Sequence, residues 1–434
     1  MSENQNKPLN IGVAGLGTVG AGVVKILQSN KALITARCGR EINIISVSAS
    51  NQNKDRGVDL SSYEWADDLS SMAQHDNVDC IIECIGGAEG AVKDFVEESL
   101  KNGKHVVTAN KALVATHGVE FSKIAEQHNV GLLYEAAIAG GIPIVKALRE
   151  GLAANHVQSV FGILNGTCNY ILTTMEKSGR DFDDVLKEAQ DLGYAEADPS
   201  FDIDGIDTAH KTVLLAALAF GVEPDLDSLQ IDGIRHITAT DIKAAKELGY
   251  KIKLLGIAKN ADGNYMQSVE PCLVPLHSAI ASIDDSYNAV MTQSDFCEKT
   301  MMQGRGAGEG PTASSIVADI IDVARGNILP TFGKNADTLN AVKWSGADNL
   351  SCACYIHLTV TDNTGVLAKI TSKLGDANIS IDSFIQRGHE EDGCASIIIV
   401  TQAEKFTKTK AAVYALEDLE CVVGKPTLIR IEDI

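Results

Sequence analysis

The chain has 434 residues and a formal net charge of −21 at pH 7, which is length enough for two or three domains with sizeable cores. This acidity, with a pI near 4.8, argues against nucleic acid or an anionic membrane as a partner. The longest apolar run, TVLLAALAFG, is too short to span a bilayer, no leader pattern opens the chain, and the ten cysteines lack zinc or disulfide spacing, so we expect a soluble, cytoplasmic protein with reduced thiols and no transition metal.

The first predicted element is a nucleotide-binding turn. LNIGVAGLGTVGAGVVKILQSN is an apolar strand, a glycine turn and an amphipathic helix, and Gly15, Gly17 and Gly20 match the G-x-G-x-x-G dinucleotide fingerprint in that setting. The backbone amides of Thr18 and Val19 are expected to face the phosphates at the helix N-terminus. The alternative is a glycine turn without a ligand.

The segment after the second strand, INIISVSAS, bears on the choice of cofactor. It has no acidic residue where NAD-binding sites usually hold the ribose hydroxyls. Ser48, Ser50, Lys54 and Arg56, with Arg40 just before the strand, suit a 2′-phosphate better. We therefore favour NADP; NAD remains possible, and these side chains are otherwise ordinary solvated loop residues.

The rest of the first part alternates strands and helices. VDCIIECIGG, GAVKDFVEESLKNG, KHVVTAN and the helix through FSKIAEQHN predict a doubly wound parallel sheet. Lys111, in TANKAL, lies at the carboxyl edge of this sheet, where ligands bind in such folds. The alternative is a lysine that faces water at a helix start.

Glu135 stands in the middle of the apolar run GLLYEAAIAGGIPIV. A carboxylate there needs a partner or a cation, since burial of an unpaired charge is costly. The small residues that follow could turn backbone carbonyls toward a monovalent ion.

Two features of the middle region indicate recognition of a charged small molecule. Asn165, Gly166 and Thr167 lie at a strand-to-helix turn, where backbone amides can hold an anionic group. An acidic loop follows, which could bind the ammonium of an amino acid or could simply be a solvated helix cap; it contains Glu196, Asp198, Asp202 and Asp204.

The helix that begins near residue 205 carries the strongest catalytic signal. Asp207, Lys211, Leu214 and Leu218 share one stripe at helical spacing, so the polar pair continues an apolar seam. A solvated i,i+4 pair is the alternative. A buried lysine beside a carboxylate can transfer a proton because its pKa is shifted by burial and charge. The later glycine-rich loop GRGAGEGP leads into a helix near 311–326, which we expect to return to the nucleotide domain.

The C-terminal part follows a polar linker and reads as strand, helix, strand, strand, helix, strand, which predicts a ferredoxin-like fold. The resulting domain prediction is a Rossmann domain at 1–140, an α+β domain at 141–330, a linker at 331–350 and a small ferredoxin-like domain at 351–434.

The motifs GLGTVG, TANKAL, YEAAIAGGIPIV, GILNGTCNYIL, LGYAEADPSFDIDGIDTAHK and GRGAGEGPTASSIVAD occur in the order typical of one family. Over nearly its full length the chain resembles homoserine dehydrogenases of the bacterial type with a C-terminal ACT domain. The resemblance implies reversible, NAD(P)-dependent interconversion of L-aspartate 4-semialdehyde and L-homoserine in the biosynthesis of threonine, isoleucine and methionine. It also implies that 141–330 is the catalytic and dimerisation domain, that 351–434 is the regulatory ACT domain, and that the protein is a homodimer or homotetramer.

The resemblance implies residue roles as well. Lys211 would donate the proton, and Asp207 would hold substrate and orient the amine. The other substrate residues would be Glu196, Asp202, Lys111, Asn165, Gly166 and Thr167, and Lys111, Gly193 and Gly308 would lie near the cofactor. A structural sodium site would use Glu135 and the carbonyls of Ile138, Gly140 and Ile142.

The ACT resemblance implies a small amino acid, with threonine as the expected feedback inhibitor. The site would use the DNTG turn from Asp362 to Gly365, together with Asn378, usually at a pair of ACT domains. A dimerisation module without a ligand is the alternative.

Two other functions fit parts of the sequence. A thiolate aldehyde dehydrogenase would use Cys168, but the sequence lacks that class's paired threonines and partner histidine. A nonenzymatic sensor of nucleotide and amino acid would not need the inward Asp207/Lys211 pair.

Overall fold

The computed structural model describes residues 7–346, 350–387 and 393–434, so the end of the predicted linker, 347–349, lies outside the described residues. The helices are α1 (Thr18–Ser29), α2 (Lys31–Cys38), α3 (Leu69–Gln74), α4 (Ala91–Lys101), α5 (Lys111–Gln127), α6 (Glu135–Ala139), α7 (Ile144–Lys146), α8 (Gly166–Ser178), α9 (Phe182–Asp191), α10 (Ser200–Ile203), α11 (Ile206–Phe220), α12 (Ala239–Glu247), α13 (Glu309–Arg325), α14 (Val366–Asp376) and α15 (Phe406–Glu417).

The strands are β1 (Leu9–Ala14), β2 (Ile42–Ser48), β3 (Glu64–Trp65), β4 (Cys80–Glu83), β5 (His105–Thr108), β6 (Leu132–Leu133), β7 (Val157–Ile163), β8 (Gln230–Ile231), β9 (Tyr250–Ala261), β10 (Asn264–Pro275), β11 (Tyr287–Ser294), β12 (Glu298–Arg305), β13 (Trp344–Ser345), β14 (Ser351–Cys352), β15 (Cys354–Thr361), β16 (Ile381–Arg387), β17 (Cys394–Thr401), β18 (Glu404–Lys405) and β19 (Val422–Ile431).

The N-terminal sheet is parallel, with strand order β3-β2-β1-β4-β5-β6. Its central strand β4 is buried throughout and is apolar except for Glu83, because helices cover both faces of the sheet. The strand order reverses between β1 and β4, so the carboxyl ends of these two strands frame the crevice in which doubly wound sheets bind ligands. This is the predicted Rossmann-type sheet.

Helix α13 comes late in the chain but packs on the N-terminal domain. Its buried residues Ala313, Ile316 and Ile320 share a core with Val23 and Val24 of α1. Close approach of the two helices requires a glycine on α1, and that glycine is Gly22. A Cβ there would lie 2.8 Å from the Glu309 side chain and 3.1 Å from Ala313.

A second sheet has the strand order β12-β11-β7-β9-β10-β19-β15-β17-β16, with the short strands β8 and β13 also paired to β10. Strands β14 and β18 form a separate two-stranded sheet. The first part, β12 to β10, is antiparallel and belongs to the middle region. The last part, β19-β15-β17-β16, is the sheet of the ferredoxin-like C-terminal domain. The two parts are joined by parallel pairing of β10 with β19, in which Cys272 pairs with Arg430 and Leu273 with Ile431. The C-terminal and middle domains therefore share one continuous hydrogen-bonded sheet.

Helix α11 packs on the middle sheet and is buried from Asp207 to Leu218 except at His210, which is half-buried. It ends at Phe220, and Gly221, with a φ of 65°, caps its C-terminus. No helix in the described ranges is long and apolar enough to cross a membrane.

Candidate active site

The glycine turn after β1 has the geometry that a pyrophosphate needs. Gly15 has a φ of +92°, and a Cβ there would lie 2.5 Å from the Cys84 carbonyl oxygen. A Cβ on Gly20 would lie 1.9 Å from the Gly15 oxygen, whereas Gly17 has open space around it. Gly15 and Gly20 are thus required for the turn, and Gly17 leaves room in front of the N-terminus of α1.

The predicted phosphate-selecting residues are divided between two edges of the sheet. Arg40 precedes β2 and therefore lies at its amino end, whereas Ser48 ends that strand near the glycine turn. The Arg56 guanidinium donates to the Leu16 carbonyl at 2.9 Å and to the Lys54 carbonyl at 2.7 Å. Arg56 consequently braces the glycine turn, and the structure does not bring Arg40 to the cofactor crevice.

Sequence reasoning missed a carboxylate beside this crevice. Glu83, fully buried at the end of β4, accepts hydrogen bonds from the amides of Ile85 at 2.7 Å and Gly86 at 3.1 Å. The Thr108 hydroxyl donates to its other oxygen. A glutamate inside the apolar run VDCIIECIGG was the available signal. Its role here is to hold the loop beyond β4 in a fixed conformation.

The central feature of the site is a chain of three charges. Lys211 Nζ lies 2.7 Å from Asp207 Oδ2, and Lys111 Nζ lies 2.9 Å from Asp207 Oδ1. Asp207 and Lys211 are one helical turn apart on α11, while Lys111 begins α5 directly after β5 of the Rossmann sheet. The Lys111–Asp207 ion pair therefore joins the substrate side of the middle domain to the ligand-binding edge of the nucleotide domain.

Burial and charge shift the pKa values of this pair. Burial opposes ionisation of Asp207, but Lys211 and Lys111 outweigh it and hold the pKa of the carboxyl well below its usual value. Burial lowers the pKa of Lys211, with Asp207 acting in the opposite direction. Lys211 also donates to the Leu164 carbonyl at 2.7 Å, which fixes the ammonium at the end of β7. A lysine held in this way is suited to proton transfer.

The turn before α8 connects this pair to the acidic loop. Asn165 caps α8 by accepting a hydrogen bond from the Cys168 amide at 2.8 Å. Its Nδ2 donates to Asp202 at 2.8 Å and to Asp207 at 2.9 Å. The Thr167 hydroxyl lies within 2.7 Å of the Tyr194 carbonyl and 3.2 Å of Asp202. Burial raises the pKa of Asp202, which is consistent with a carboxylate that binds a cationic group of a ligand.

Other predicted residues lie around this core without direct contacts to it. Glu196 is exposed in the loop beyond α9, and within the described part of the chain only its backbone carbonyl forms a hydrogen bond, from Gln190 at 3.0 Å. Gly193 has a φ of +76° in the same loop, and Gly308, with a φ of +115°, precedes α13. A Cβ on Gly166 would lie 2.9 Å from the Ser286 carbonyl oxygen.

Phe201 is a site residue that the sequence did not suggest. Its ring, 46% exposed, lies 5.5 Å from Lys111 Nζ and stacks on His210. The cation–π contact helps to fix the lysine ammonium on the substrate side. Cys168, by contrast, is fully buried, and burial raises the pKa of its thiol well above the usual value, so a thiolate mechanism is disfavoured.

The predicted sodium site contains a buried carboxylate, Glu135, and the neighbouring Lys146 is paired with Asp319 and Asp322. Glu135 accepts hydrogen bonds from the amides of Val145 at 2.8 Å and Lys146 at 2.9 Å. Burial and the nearby Asp319 raise the pKa of Glu135 to about 7. The Gly140 carbonyl already accepts a hydrogen bond from Ser315 at 2.7 Å, but a carbonyl oxygen has a second lone pair.

This donor set suits a monovalent cation, because a carboxylate and neutral carbonyls balance a single charge. Within the described ranges, no group of three or more His, Cys, Asp or Glu side chains is placed to hold a metal ion. The predicted sodium site differs from such a group, because it would use one carboxylate together with the backbone carbonyls of Ile138, Gly140 and Ile142.

The predicted effector residues lie at opposite ends of one helix. Asp362 follows β15, and Gly365, with a φ of 88°, precedes α14. Asn378, with a φ of 51°, comes after the C-terminus of α14, and its carbonyl accepts a hydrogen bond from Lys408 at 2.7 Å. Within one chain, the structure does not bring Asn378 to the turn.

Comparisons with known proteins agree with this architecture. The model of the homoserine dehydrogenase family matches residues 143–321, that of the homoserine dehydrogenase NAD-binding domain matches 15–135, and that of the ACT domain matches 355–420. Homoserine dehydrogenase of Neisseria gonorrhoeae is 42% identical over 434 residues, covering 99% of both chains, and that of Pseudomonas aeruginosa is 40% identical over 435 residues, covering 99% of this chain and all of the relative. A solved homoserine dehydrogenase of Thiobacillus denitrificans superposes with a TM-score of 0.92 at 41% identity, covering 99% of each chain.

The Rossmann sheet, its glycine turn and the match to an NAD-binding domain place the chain among oxidoreductases that use a nicotinamide dinucleotide. The comparisons make this assignment more specific. The chain belongs to the homoserine dehydrogenase family, in the form that carries a C-terminal ACT domain. The predictions of an α/β fold, a dehydrogenase and an ACT domain are thereby confirmed.

Proposed function

We propose that the protein catalyses the reversible, NAD(P)H-dependent reduction of L-aspartate 4-semialdehyde to L-homoserine, in the biosynthesis of threonine, isoleucine and methionine. The observation that supports this most is the Lys111–Asp207–Lys211 chain, because it places a buried ammonium where the middle domain meets the cofactor edge of the Rossmann sheet. Family membership gives the reaction class, and this geometry supports the roles of the residues.

Lys211 supplies the proton in this mechanism. The glycine turn after β1 would hold a reduced nicotinamide dinucleotide, which would supply the hydride. The Lys211 ammonium gives its proton to the aldehyde oxygen, so that C=O becomes CH–OH, and in the reverse direction the neutral amine takes the hydroxyl proton. Asp207 orients the amine through its 2.7 Å contact, and Lys111 keeps Asp207 ionised.

The two charged ends of the substrate distinguish it from simple alcohols. Asp202, half-buried beside Asn165 and Thr167, is suited to bind the ammonium, with Glu196 closing over it from the exposed loop. The amides of Gly166 and Thr167 begin α8 and are suited to the carboxylate. Each contact compensates for the loss of hydration when the substrate is enclosed.

Substrate analogues provide the test. We expect 4-hydroxybutyrate, which lacks the ammonium, and 3-aminopropan-1-ol, which lacks the carboxylate, to lose roughly two orders of magnitude or more in kcat/KM relative to L-homoserine, since each leaves buried polar groups unpaired. Comparable values for all three alcohols would contradict the proposed substrate. Asp202→Asn should weaken L-homoserine use far more than 4-hydroxybutyrate use.

For the cofactor, we propose NADP, with NAD as an alternative. Ser48, Ser50 and Lys54 near the carboxyl end of β2, without an acidic residue at the strand end, support the choice. Arg56 contributes by bracing the loop, and Arg40 is the weakest member of the predicted set because of its place at the other sheet edge. We expect a higher kcat/KM with NADP than with NAD, and we expect Lys54→Ala to abolish this difference. A preference for NAD in the wild type would overturn the proposal.

For the ACT domain, we propose feedback inhibition by threonine at the turn Asp362–Gly365, completed by Asn378 from a second ACT domain. The separation of Asn378 from the turn along α14 is the reason to invoke a paired domain, and it supports a homodimer or homotetramer. We expect L-threonine to inhibit the enzyme, and we expect Asn378→Ala to relieve this inhibition without a change in kcat. Retained inhibition in that variant would exclude this site.

A further inference from the structure

Two cysteine thiols lie side by side where the C-terminal domain joins the middle domain. Cys352 ends β14, Cys354 begins β15, and Ala353 belongs to neither strand. Side chains two residues apart on an extended chain point to the same side. Cys352 accordingly packs against the apolar cluster that contains Cys354, and the Cys354 thiol donates a hydrogen bond to the Cys352 sulfur. The two sulfur atoms are therefore within reach of each other in the folded protein.

The two thiols differ in their access to solvent. Cys352 is half-buried and lines a surface pocket of about 560 Å³, together with His277 and Glu432. Cys354 is fully buried and does not line this pocket. A small oxidant can thus reach the Cys352 sulfur from solvent, whereas the Cys354 sulfur is reached only from Cys352.

The surrounding groups make Cys352 the nucleophile of the pair. Arg430, which is fully buried on β19 beside Cys354, is ion-paired with Glu270 at 2.8 Å and with Glu432 at 3.2 Å. The hydrogen bond from Cys354 lowers the pKa of the Cys352 thiol, and Arg430 acts in the same direction against burial and the two glutamates. The same hydrogen bond, together with burial, raises the pKa of the Cys354 thiol. Redox-active cysteines have this arrangement, in which an accessible thiol of lowered pKa lies next to a second thiol.

Cys354 is a better disulfide partner for Cys352 than the nearby Cys272 is. Cys272 and Cys354 both pair with Arg430, one on each side of β19. Their Cα atoms are therefore two strand spacings apart, or roughly 10 Å, which is too far for a disulfide bond. Two residues along an extended strand span only about 6.6 Å, which is near the upper limit for a disulfide.

We propose that Cys352 and Cys354 form a reversible oxidation site for hydroperoxides. The Cys352 thiolate attacks one oxygen of the hydroperoxide, the O–O bond breaks, and the other oxygen leaves and takes up a proton, so that Cys352 carries a sulfenic acid. The Cys354 sulfur then attacks the Cys352 sulfur. The S–O bond breaks, and the Cys354 proton leaves with the hydroxide as water. The two thiols lose two electrons in total, and the hydroperoxide gains them.

The disulfide would act on the strand pairing that joins the two domains. The Ala353 carbonyl accepts a hydrogen bond from the Ile431 amide at 2.9 Å, and Ile431 lies on β19 where that strand pairs with β10. Because the extended span is near the upper limit for a disulfide, ring closure bends the backbone at Ala353 and weakens this hydrogen bond. A strained disulfide is also easily reduced, as a reversible site requires.

The experiment is treatment of the reduced full-length protein with hydrogen peroxide, followed by alkylation, digestion and mass spectrometry. We expect the peptide with Cys352 and Cys354 to lose two hydrogen atoms and to escape alkylation, at a rate roughly tenfold or more above the oxidation of the exposed Cys297. Dithiothreitol should reverse the change. Cys354→Ser should stop at a Cys352 sulfenic acid that dimedone traps. Cys297→Ser is the matched control and should form the disulfide as the wild type does.

Three results would overturn the proposal: no disulfide in the wild type under peroxide that oxidises Cys297, a disulfide that forms only in denaturant, or a lasting Cys352 sulfenic acid in the wild type. These measurements need no substitution, so they remain decisive if Cys354→Ser does not fold. The oxidised protein should melt at a lower temperature than the reduced protein, and an unchanged melting temperature would overturn the effect on the domain junction. No readout uses dehydrogenase activity, so the oxidation site is tested independently of the proposed function.

Discussion

Lys211→Met is the substitution that probes the proposed proton donor most cleanly. Methionine has a similar length, so the packing along α11 is kept while the ammonium is removed. Asp207 does not become an unpaired buried charge, because Lys111 at 2.9 Å and Asn165 at 2.9 Å still contact it. We therefore expect the variant to fold and to bind cofactor.

The expected magnitude follows from the single role that is lost. General acid catalysis contributes about 10²- to 10⁴-fold, or roughly 3 to 5 kcal/mol of transition-state stabilisation at 1.36 kcal/mol per decade. The assay is kcat in both directions, with cofactor affinity measured separately by quenching of reduced-nicotinamide fluorescence. Lys111→Met is the control, since it removes a contact to Asp207 while leaving the donor in place. It should therefore lose less kcat than Lys211→Met.

The pH dependence provides a second reading of the same residue. Oxidation of the alcohol requires the neutral amine, so its rate should rise with pH through the lowered pKa of Lys211, whereas reduction should slow over the same range. Lys211→Met should lack this limb in both directions. A kcat within about threefold of wild type, or an unchanged pH profile, would refute the assignment of Lys211 as the donor.

Three further predictions concern other parts of the molecule. Gly20→Ala should abolish cofactor binding and destabilise the fold by at least about 1–3 kcal/mol, because its Cβ would lie 1.9 Å from a backbone oxygen. Gly17→Ala should have the melting temperature of the wild type and should only weaken cofactor binding, because Gly17 has open space around it. Equal melting temperatures for the two variants would contradict the turn geometry. The folded-state pKa of Glu135 is raised from 4.5 to about 7, so its contribution to stability is present below its unfolded-state pKa and is lost as the pH rises through about 7. Above that pH, sodium chloride but not choline chloride should therefore raise the melting temperature. An equal response to both salts would count against the cation site. Asp241 on α12 contacts His357 of the C-terminal domain at 2.7 Å. Burial opposes ionisation of Asp241, but hydrogen bonds from His357 and Thr238 hold its pKa below the usual value. Asp241→Asn should therefore cost about 1–3 kcal/mol of unfolding free energy at neutral pH, and denaturant titrations should show a smaller loss of stability on acidification. A wild-type denaturation profile would show that this interdomain contact is unimportant.

Much of the architecture could be predicted because it depends on local sequence patterns. The strand–turn–helix around Gly15 and the alternation of strands and helices predict a Rossmann sheet without long-range information. The placement of Asp207 and Lys211 inward on α11 likewise follows from their spacing with the leucines. Both predictions depend on periodicity, which the structure preserves.

Other features required the folded chain. Sequence spacing could not reveal that Asn165 contacts both Asp202 and Asp207, since the three residues come together only when α8, α10 and α11 pack. The junction of β10 with β19 is a long-range strand pairing, and nothing local in Arg430 predicts its burial against Glu270. Arg40 was misleading because closeness to β2 in sequence does not show which end of the strand a residue occupies.

The central claim is tested most directly by absorbance at the reduced-nicotinamide band when the full-length protein is mixed with L-homoserine and either NADP or NAD. Wild-type protein should produce growth of the band with one or both cofactors, and Lys211→Met should bind the cofactor without producing it. Absence of the band in the wild type with both cofactors, and in the reverse direction with L-aspartate 4-semialdehyde, would contradict the proposed function.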